Sequence, residues 1–375
     1  MHWAFGALVS TAAWVAATVV AKPVADPDDE STPVVLVVLD GVRWQEVFNG
    51  VDSTLAMGRE GSSGSDAADL LPNVYAATRT RGALLGAPGH GKTIVASGPN
   101  FVSLPGYMEI FEGRPPVSCQ DNECDGAREP TLVDEIRAHA VRDSDVAVFA
   151  SWERIRVAAT RDPSQIVLSA GRTDAGGSAL GTDPEVNEAL ERGRYADAYP
   201  GHGAFRPDRF TGALALRYLD AKRPAFLFVG LGEPDEYAHR GDYPGYLASL
   251  RAADDFIGQL LATLDRMGER GRRTLVLLTS DHGRARDYRE HGAQFPESAR
   301  VWLAAFGAPV HARGFAAAPQ PRRLADIAPT IRTALAIRPM EDPLIEDPSR
   351  GRPLSELFED VEPSGVRAGS YAPPP

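Results

Sequence analysis

The sequence predicts an α/β fold: a central, mostly parallel sheet with helices on both faces. Short apolar runs typical of buried strands recur along the 375-residue chain, and amphipathic segments with helical periodicity separate several of them. Strands that alternate with helices favour parallel pairing, which buries both faces of the sheet. Two of the apolar runs end in an acidic residue at a position where α/β sheets bind ligands.

The strands are predicted where β-branched and aliphatic residues are continuous, and the helices where apolar residues repeat every three or four positions. The longest helix carries Tyr246, Leu250, Ile257 and Leu264 on one face. The predicted strands are 34–39, 145–150, 225–230, 274–279 and 301–306. The predicted helices are 105–112, 131–141, 209–219, 244–267 and 324–336.

One catalytic domain is expected over residues 30–338. Within it, residues 151–207 are rich in Arg, Asp, Gly and Pro and are predicted to form an irregular cap or specificity insertion. Residues 339–375 are rich in proline and acidic residues and are predicted to be a loosely held tail. The formal net charge of −12 argues against a nucleic-acid-binding surface.

The first 21 residues favour a signal peptide, because residues 3–21 are apolar and Val19-Val20-Ala21 offers small residues for cleavage. No Lys or Arg precedes the apolar run, so an uncleaved membrane anchor and a buried helix remain alternatives. The expected location is periplasmic or secreted.

Cys119 and Cys124 are then expected to form a small disulfide loop, and a zinc site is disfavoured because no second Cys/His pair follows at suitable spacing.

Acidic and imidazole side chains follow three of the predicted strands. Asp235 and His239 are four residues apart, so one helical turn would put both on one face. Three carboxylates and three imidazoles are a plausible ligand set for two divalent cations, zinc or manganese rather than magnesium. The six residues are Asp40, Asp235, His239, Asp281, His282 and His291.

The order and spacing of an N-terminal Leu-Val-Val-Leu-Asp-Gly, then Asp-x3-His, Ser-Asp-His-Gly and His-Gly, closely resemble the alkaline phosphatase superfamily. That superfamily includes nucleotide pyrophosphatase/phosphodiesterases and metallo-phosphomutases. The resemblance runs from about Val34 to Ile337, and Asp326-Ile-Ala-Pro-Thr330 is similar to the motif that opens the late helix of the family. It implies one metal site at Asp235, His239 and His291, and another at Asp40, Asp281 and His282.

The resemblance also implies a nucleophile that bridges both metals. Residues 101–114 are similar to the Thr-Phe-Pro-Asn-His-Tyr pattern of the family, with Ser103 at the nucleophile position. Ser103 would precede a short helix whose N-terminal amides favour an anionic phosphoryl group. The expected enzyme is a hydrolase of small phosphoesters that works through a phosphoserine on Ser103. Transfer to another hydroxyl, as in a phosphomutase, is the alternative, and a binding protein that keeps the fold without catalysis is a weaker one.

Two departures from the family pattern bear on the substrate. Gly106 stands where the diesterase branch is expected to carry an Asn that holds a phosphoryl oxygen, which leaves Lys92, Asn100 and Arg172 as candidates for that function. A sulfatase would need Cys/Ser-x-Pro-x-Arg, and no Arg follows Pro105 at that spacing.

Gly86–Thr93 matches the P-loop pattern G-x4-G-K-[ST], which makes a P-loop NTPase a rival hypothesis. A P-loop requires a helix directly after the loop. Here β-branched residues follow, and Gly98-Pro99 would stop a helix within two turns. A glycine-rich hairpin turn is therefore the favoured interpretation.

Overall fold

The computed structural model describes residues 32–56, 65–175, 184–311, 314–338, 340 and 347–358, and all structural statements below concern these residues. The predicted signal peptide lies outside them. Among the described helices, none is long and apolar enough to cross a bilayer.

The strands occur where the apolar runs predict them, with several short strands added. The twelve strands are β1 Val34–Leu39, β2 Gly82–Leu85, β3 Ile94–Val95, β4 Val146–Ala150, β5 Val167–Ala170, β6 Thr173–Ala175, β7 Phe226–Leu231, β8 Leu275–Thr279, β9 Arg300–Val301, β10 Leu303–Phe306, β11 Gly314–Ala316 and β12 Arg322–Arg323.

Nine strands form one twisted sheet in the order β11-β2-β10-β8-β1-β7-β4-β5-β6. The five strands from β8 to β5 pair in parallel, whereas β10 and β6 run antiparallel to their neighbours. Val38 of β1 pairs with Gly230 and with Thr279, so β1, β7 and β8 end level with one another. A second sheet contains β12, β3 and β9. The predicted α/β class with a mostly parallel sheet is confirmed.

Helices cover both faces of the large sheet. Alternate residues of β1 point to opposite faces, so Leu36 joins the core beneath α4, α5, α6 and α12, and Val37 joins the core beneath α3, α8 and α10. The twelve α-helices are α1 Trp44–Asn49, α2 Ala67–Leu70, α3 Pro72–Arg81, α4 Ser103–Glu112, α5 Leu132–His139, α6 Ile155–Ala159, α7 Pro184–Tyr195, α8 Asp208–Lys222, α9 Glu233–His239, α10 Tyr243–Arg266, α11 Glu269–Arg273 and α12 Ile327–Ala334.

The segment 151–207 is less irregular than expected. It supplies β5 and β6 to the main sheet and contains α6 and α7. The prediction of an irregular insertion is therefore wrong for residues 155–175, because β5 is a four-residue apolar strand buried on both faces beside β4. Whether the segment sets substrate specificity stays a prediction.

Part of the expected tail is held firmly on the domain. Arg322 forms a buried ion pair with Glu356, with Nε to Oε1 at 2.7 Å. The backbone amide of Arg352 donates to Asp326 Oδ1 at 2.8 Å, and the amide of Leu354 donates to Thr330 Oγ1 at 2.9 Å. The prediction of a loosely held tail is wrong for residues 347–358, because the buried ion pair and these capping bonds offset the cost of ordering the chain.

The P-loop-like stretch has no helix after it. Strand β2 precedes the loop, but β3 follows and belongs to the smaller sheet. The amide of Lys92 donates to Ala318 O at 2.9 Å. The P-loop interpretation is therefore excluded, because no helix N-terminus faces the loop. The hairpin interpretation is also wrong, because β2 and β3 pair in different sheets.

Candidate metal and nucleophile site

The predicted ligands lie together because three neighbouring parallel strands end at the same edge of the sheet. Asp40 follows β1, Asp281 and His282 follow β8, and Asp235 lies on α9, which begins two residues after β7. The sheet order places β1 between the other two strands. Residues far apart in the chain therefore meet around the end of β1.

A first group of ligating atoms surrounds His282 Nε2. It lies 3.6 Å from Asp40 Oδ1 and 3.4 Å from Asp281 Oδ2. The hydroxyl of Ser103 lies 3.3 Å from Asp40 Oδ1 and 3.3 Å from His282 Nε2. All four residues are buried. This arrangement is compact enough for one cation to touch the three ligands next to the serine oxygen.

A second group lies beside the first. His239 Nε2 is 3.1 Å from Asp235 Oδ2 and 3.0 Å from His291 Nε2, and His291 Nε2 is 3.9 Å from Asp235 Oδ1. The His282 ring stacks on the His291 ring with centroids 3.9 Å apart. Ligating atoms of Asp235, His282 and His291 also lie within 4.8 Å of one another. His282 therefore stands between the two groups, and the six predicted residues form one continuous cluster.

The rings of His282 and His291 are oriented by backbone carbonyls. Nδ1 of His282 lies 2.9 Å from Gly283 O, and Nδ1 of His291 lies 2.7 Å from Phe101 O. A carbonyl can only accept, so each Nδ1 carries the proton and each Nε2 presents a lone pair to the site. Burial, and next the neighbouring His291, lower the pKa of His282 well below its ordinary value, and burial lowers the pKa of His291 to about 4. Both rings are neutral at pH 7, as metal ligands must be.

The surroundings of Asp40 and Asp281 disfavour the charged forms of both carboxyl groups. Burial, followed by the Asp281 and Asp235 carboxylates, raises the pKa of Asp40 well above its ordinary value, and burial raises the pKa of Asp281 to about 8. Asp281 Oδ2 is buried and makes no hydrogen bond within the described residues. A buried carboxylate oxygen without a donor beside three imidazoles fits a divalent cation, so the residues present suit a two-metal centre.

Asp235 has a cationic neighbour that the sequence analysis missed. The buried guanidinium of Arg284 donates through Nη2 to Asp235 Oδ1 and, at 3.1 Å, to Asp235 O. Burial opposes ionisation of Asp235, but Arg284 and then His239 outweigh it and hold the pKa of Asp235 well below its usual range. Gly41 has φ of +63°, and a Cβ there would lie 2.4 Å from Asp235 Oδ1. Only glycine leaves room for this carboxylate at the end of β1.

Ser103, the predicted nucleophile, is the first residue of α4, one position inside the helix that it was expected to precede. Pro105 has no N–H, and the amide of Leu104 donates to Asn122 Oδ1 at 2.9 Å. The Ser103 N–H has no acceptor within the described residues, so it is the donor that this helix start leaves for a ligand. A Cβ on Gly106 would lie 2.4 Å from Asp281 O, so Gly106 packs directly against the backbone of Asp281 at the end of β8.

Among the described residues, the three candidates for the function of the family Asn form no hydrogen bond to Ser103. Lys92 is exposed, Asn100 Nδ2 donates to Gln120 O at 2.8 Å, and Arg172 Nη2 donates to Ala196 O. A side chain at 106 would collide with Asp281, so an Asn cannot be accommodated there. The polar side chain that binds the start of α4 comes from another loop and is Asn122.

Asn122 lies inside the loop closed by Cys119 and Cys124, which form a disulfide bond with their Cα atoms 5.4 Å apart. The pairing expected for an exported chain is therefore present. With Oδ1 bound to the Leu104 amide, the Asn122 Nδ2 group makes no hydrogen bond within the described residues. The only sequence signal for Asn122 was its place in a short loop between two cysteines downstream of Ser103.

Comparison with known families matches residues 115–295 to the type I phosphodiesterase / nucleotide pyrophosphatase family. The matched range includes Asn122 and every predicted ligand except Asp40, and it begins after Ser103. A 2,3-bisphosphoglycerate-independent phosphoglycerate mutase of Haloarcula marismortui is 26% identical over 144 residues, which are 38% of this chain and 25% of the mutase. This chain therefore spans about a quarter of the curated relative that it matches.

Solved structures of low sequence identity share the fold. A phosphonate monoester hydrolase of Agrobacterium radiobacter superposes with a TM-score of 0.54 at 16% identity, over 90% of this chain and 79% of the hydrolase. A mutant of the alkaline phosphatase PafA superposes with a TM-score of 0.55 at 12% identity, over 88% of this chain and 99% of the phosphatase.

Proposed function

We propose that this chain is a member of the alkaline phosphatase superfamily and a two-metal phosphoester hydrolase that works through a phosphorylated Ser103. The observation that carries the proposal is the position of Ser103 Oγ, 3.3 Å from both Asp40 Oδ1 and His282 Nε2 at the edge of a cluster of six ligating side chains. A serine that served only to begin a helix would not need its hydroxyl beside these ligating atoms.

In the proposed assignment, Asp235, His239 and His291 hold one cation, and Asp40, Asp281 and His282 hold the other. When bound, two divalent cations supply Lewis-acid charge that favours an ionised serine oxygen and a developing negative charge on the ester oxygens. Three carboxylates and an ionised Ser103 would balance two such cations. The mixed nitrogen and oxygen donors favour zinc, with manganese as the alternative.

Ser103 and Asn122 carry out the remaining functions in the proposed reaction. Ser103 Oγ attacks phosphorus, the bond from phosphorus to the leaving oxygen breaks, and a phosphoserine forms. The Ser103 N–H and the Asn122 Nδ2 group are the donors for a phosphoryl oxygen at this end of α4. Water completes the cycle by attacking the phosphoserine, which releases phosphate or its monoester and restores the Ser103 hydroxyl.

Transfer to a second hydroxyl is the alternative function. The local similarity to a phosphoglycerate mutase favours it, because the same phosphoserine can be discharged to an alcohol instead of water. The segments after β4 and β5 reach the same sheet edge as the metal cluster, so residues 151–154 and 171–172 are the proposed substrate-contacting part of the specificity segment.

The test measures turnover of p-nitrophenyl phosphate and of its bis-ester, with and without a chelator, together with metal content by elemental analysis. Metal-dependent release of nitrophenol from either ester supports the hydrolase. Mass spectrometry of the acid-quenched enzyme should find phosphate on the peptide that contains Ser103. Absence of turnover for both esters, with metal-dependent movement of the phosphoryl group of an added sugar phosphate to another sugar hydroxyl and no release of free phosphate, would overturn hydrolysis in favour of transfer.

The disulfide supports an oxidising location, which is consistent with the expected export to the periplasm or the exterior. Fractionation of cells that produce the full chain tests this proposal. Recovery of all the protein in the reducing cytosol with free thiols would contradict it.

A further inference from the structure

The disulfide loop, residues Cys119–Cys124, is attached to the rest of the protein on two sides of Asn122. On one side, Asn100 Nδ2 donates to Gln120 O at 2.8 Å. On the other side, the Arg154 guanidinium donates from Nε to Asn122 O at 3.1 Å and from Nη2 to Cys124 O. The disulfide closes the loop between these attachments.

Arg154 connects the loop to the main sheet. It follows β4, which pairs with β7, the strand that leads into the Asp235 helix. A guanidinium presents several donors in a fixed plane, so it can hold two carbonyls of the loop at once, which an ammonium cannot do in the same geometry. The backbone of Asn122 is therefore positioned from the same sheet that positions the metal ligands.

We infer that the disulfide and Arg154 are positioning elements for the Asn122 side chain, so that turnover depends on the oxidised state of this loop. The inference rests on the proposed function, in which Asn122 Nδ2 and the Ser103 N–H bind a phosphoryl oxygen. Asn122 Oδ1 already bonds the Leu104 amide, so a displacement of the loop would move the proposed donor and also remove an acceptor from the start of α4.

The expected size of the effect follows from geometry. A misplacement of about 1 Å at a catalytic group costs about 10²-fold in rate. Removal of one oxyanion donor costs about 10²–10³-fold in kcat. Opening the loop should therefore lower kcat by about 10- to 100-fold, and no more than the loss caused by Asn122→Ala.

The experiment compares three changes in the full-length, metal-loaded protein: the Cys119→Ser/Cys124→Ser double variant, Arg154→Met, and Asn122→Ala. Arg156→Met is the matched control, because it makes the same change at an exposed arginine two residues away. Each protein is assayed for kcat and KM with p-nitrophenyl phosphate or its bis-ester, whichever the enzyme turns over. Metal content and Tm are measured in parallel. Each loop change is also combined with Asn122→Ala.

If the loop positions Asn122, the loop changes should lower kcat when Asn122 is present. In the Asn122→Ala background, the same changes should lower kcat by less than about a further twofold. The wild-type protein treated with a thiol reductant should match the double variant, and reoxidation should restore its activity. A general loss of stability would instead lower activity equally in both backgrounds.

Two results separate the possible failures. If Asn122→Ala lowers kcat but both loop changes leave it at the wild-type value with full metal content, the positioning inference is wrong and the proposed function stands. If Asn122→Ala itself leaves kcat unchanged, the assignment of Asn122 as a phosphoryl-binding group is wrong. If no metal-dependent turnover exists, the proposed function itself is wrong.

Discussion

Gly106→Ala tests the geometry of the candidate site. At Gly106, helix α4, which begins with Ser103, packs against the backbone of Asp281 after strand β8. A Cβ at position 106 would lie 2.4 Å from the backbone oxygen of Asp281 and 3.0 Å from its carbonyl carbon. Ordinary contact begins at 3.4 Å, so either α4 or the Asp281 backbone must move by about 1 Å. Both carry groups of the proposed reaction.

The expected result is a loss of about 10²-fold in kcat, since a shift of about 1 Å between reacting groups has that effect. Stability should change less. Alanine gains about 1 kcal/mol over glycine in a helix interior, and this gain partly offsets the 1–3 kcal/mol or so that overpacking costs. Turnover, metal content and the midpoint of urea unfolding measure the three quantities separately.

Gly212→Ala is the matched control. Gly212 also lies within a helix, and its added Cβ would meet the Phe256 ring at 2.9 Å, in the core on the opposite face of the sheet from α4. This variant should keep wild-type kcat even if its stability falls. Wild-type kcat in Gly106→Ala, or an equal loss of kcat in both variants, would refute the claim that the spacing between α4 and Asp281 sets the reaction geometry.

Further substitutions test catalysis, metal binding and the effect of a buried carboxyl group on stability separately. Ser103→Ala should abolish turnover and keep the metal, whereas Asp281→Ala should lose metal in elemental analysis; normal turnover in Ser103→Ala would reject this nucleophile. Arg284→Met should weaken metal binding by about 10- to 100-fold in a chelator competition, because it removes the partner that holds Asp235; unchanged affinity would show that Arg284 has no such function. Burial, and then the Glu233 carboxylate, raise the pKa of Asp208 to about 8, so the folded state keeps a proton that the unfolded state releases near pH 4. Its contribution to the free energy of unfolding should therefore fall as pH rises from about 4 to 8, and Asp208→Asn should flatten that decline in urea titrations; an unchanged slope would contradict the assignment.

Much of the fold was predictable because its central strands are apolar along their whole length. Strands such as β1 and β8 are buried on both faces, and their continuous apolar composition is untypical of loops and exposed helices. Short elements such as β11 and β12 were not predicted, because pairings of two or three residues leave no periodic signal. The buried attachment of residues 347–358 was also missed, because it depends on the Arg322–Glu356 pair across the fold.

The candidate site divides in the same way. The six candidate ligands could be picked out because acids and imidazoles at strand ends are unusual residue types for those positions, and the resemblance to the family pattern pointed to Ser103. The structure brings these seven side chains together, and their functions stay predictions. Asn122 and Arg284 were not predicted. An asparagine in a polar loop and an arginine after a glycine are common, and each gains a function only from the partner that the fold brings to it.

By itself, the sequence determined which strands could be buried and which side chains could bind a cation, because hydrophobicity and ligand chemistry belong to individual residues. The tertiary structure decided the order β8-β1-β7 that gathers those side chains. It also decided that the asparagine bound to the start of α4 comes from a disulfide loop and not from position 106. Such choices depend on distances between residues far apart in the chain, and local composition does not encode those distances.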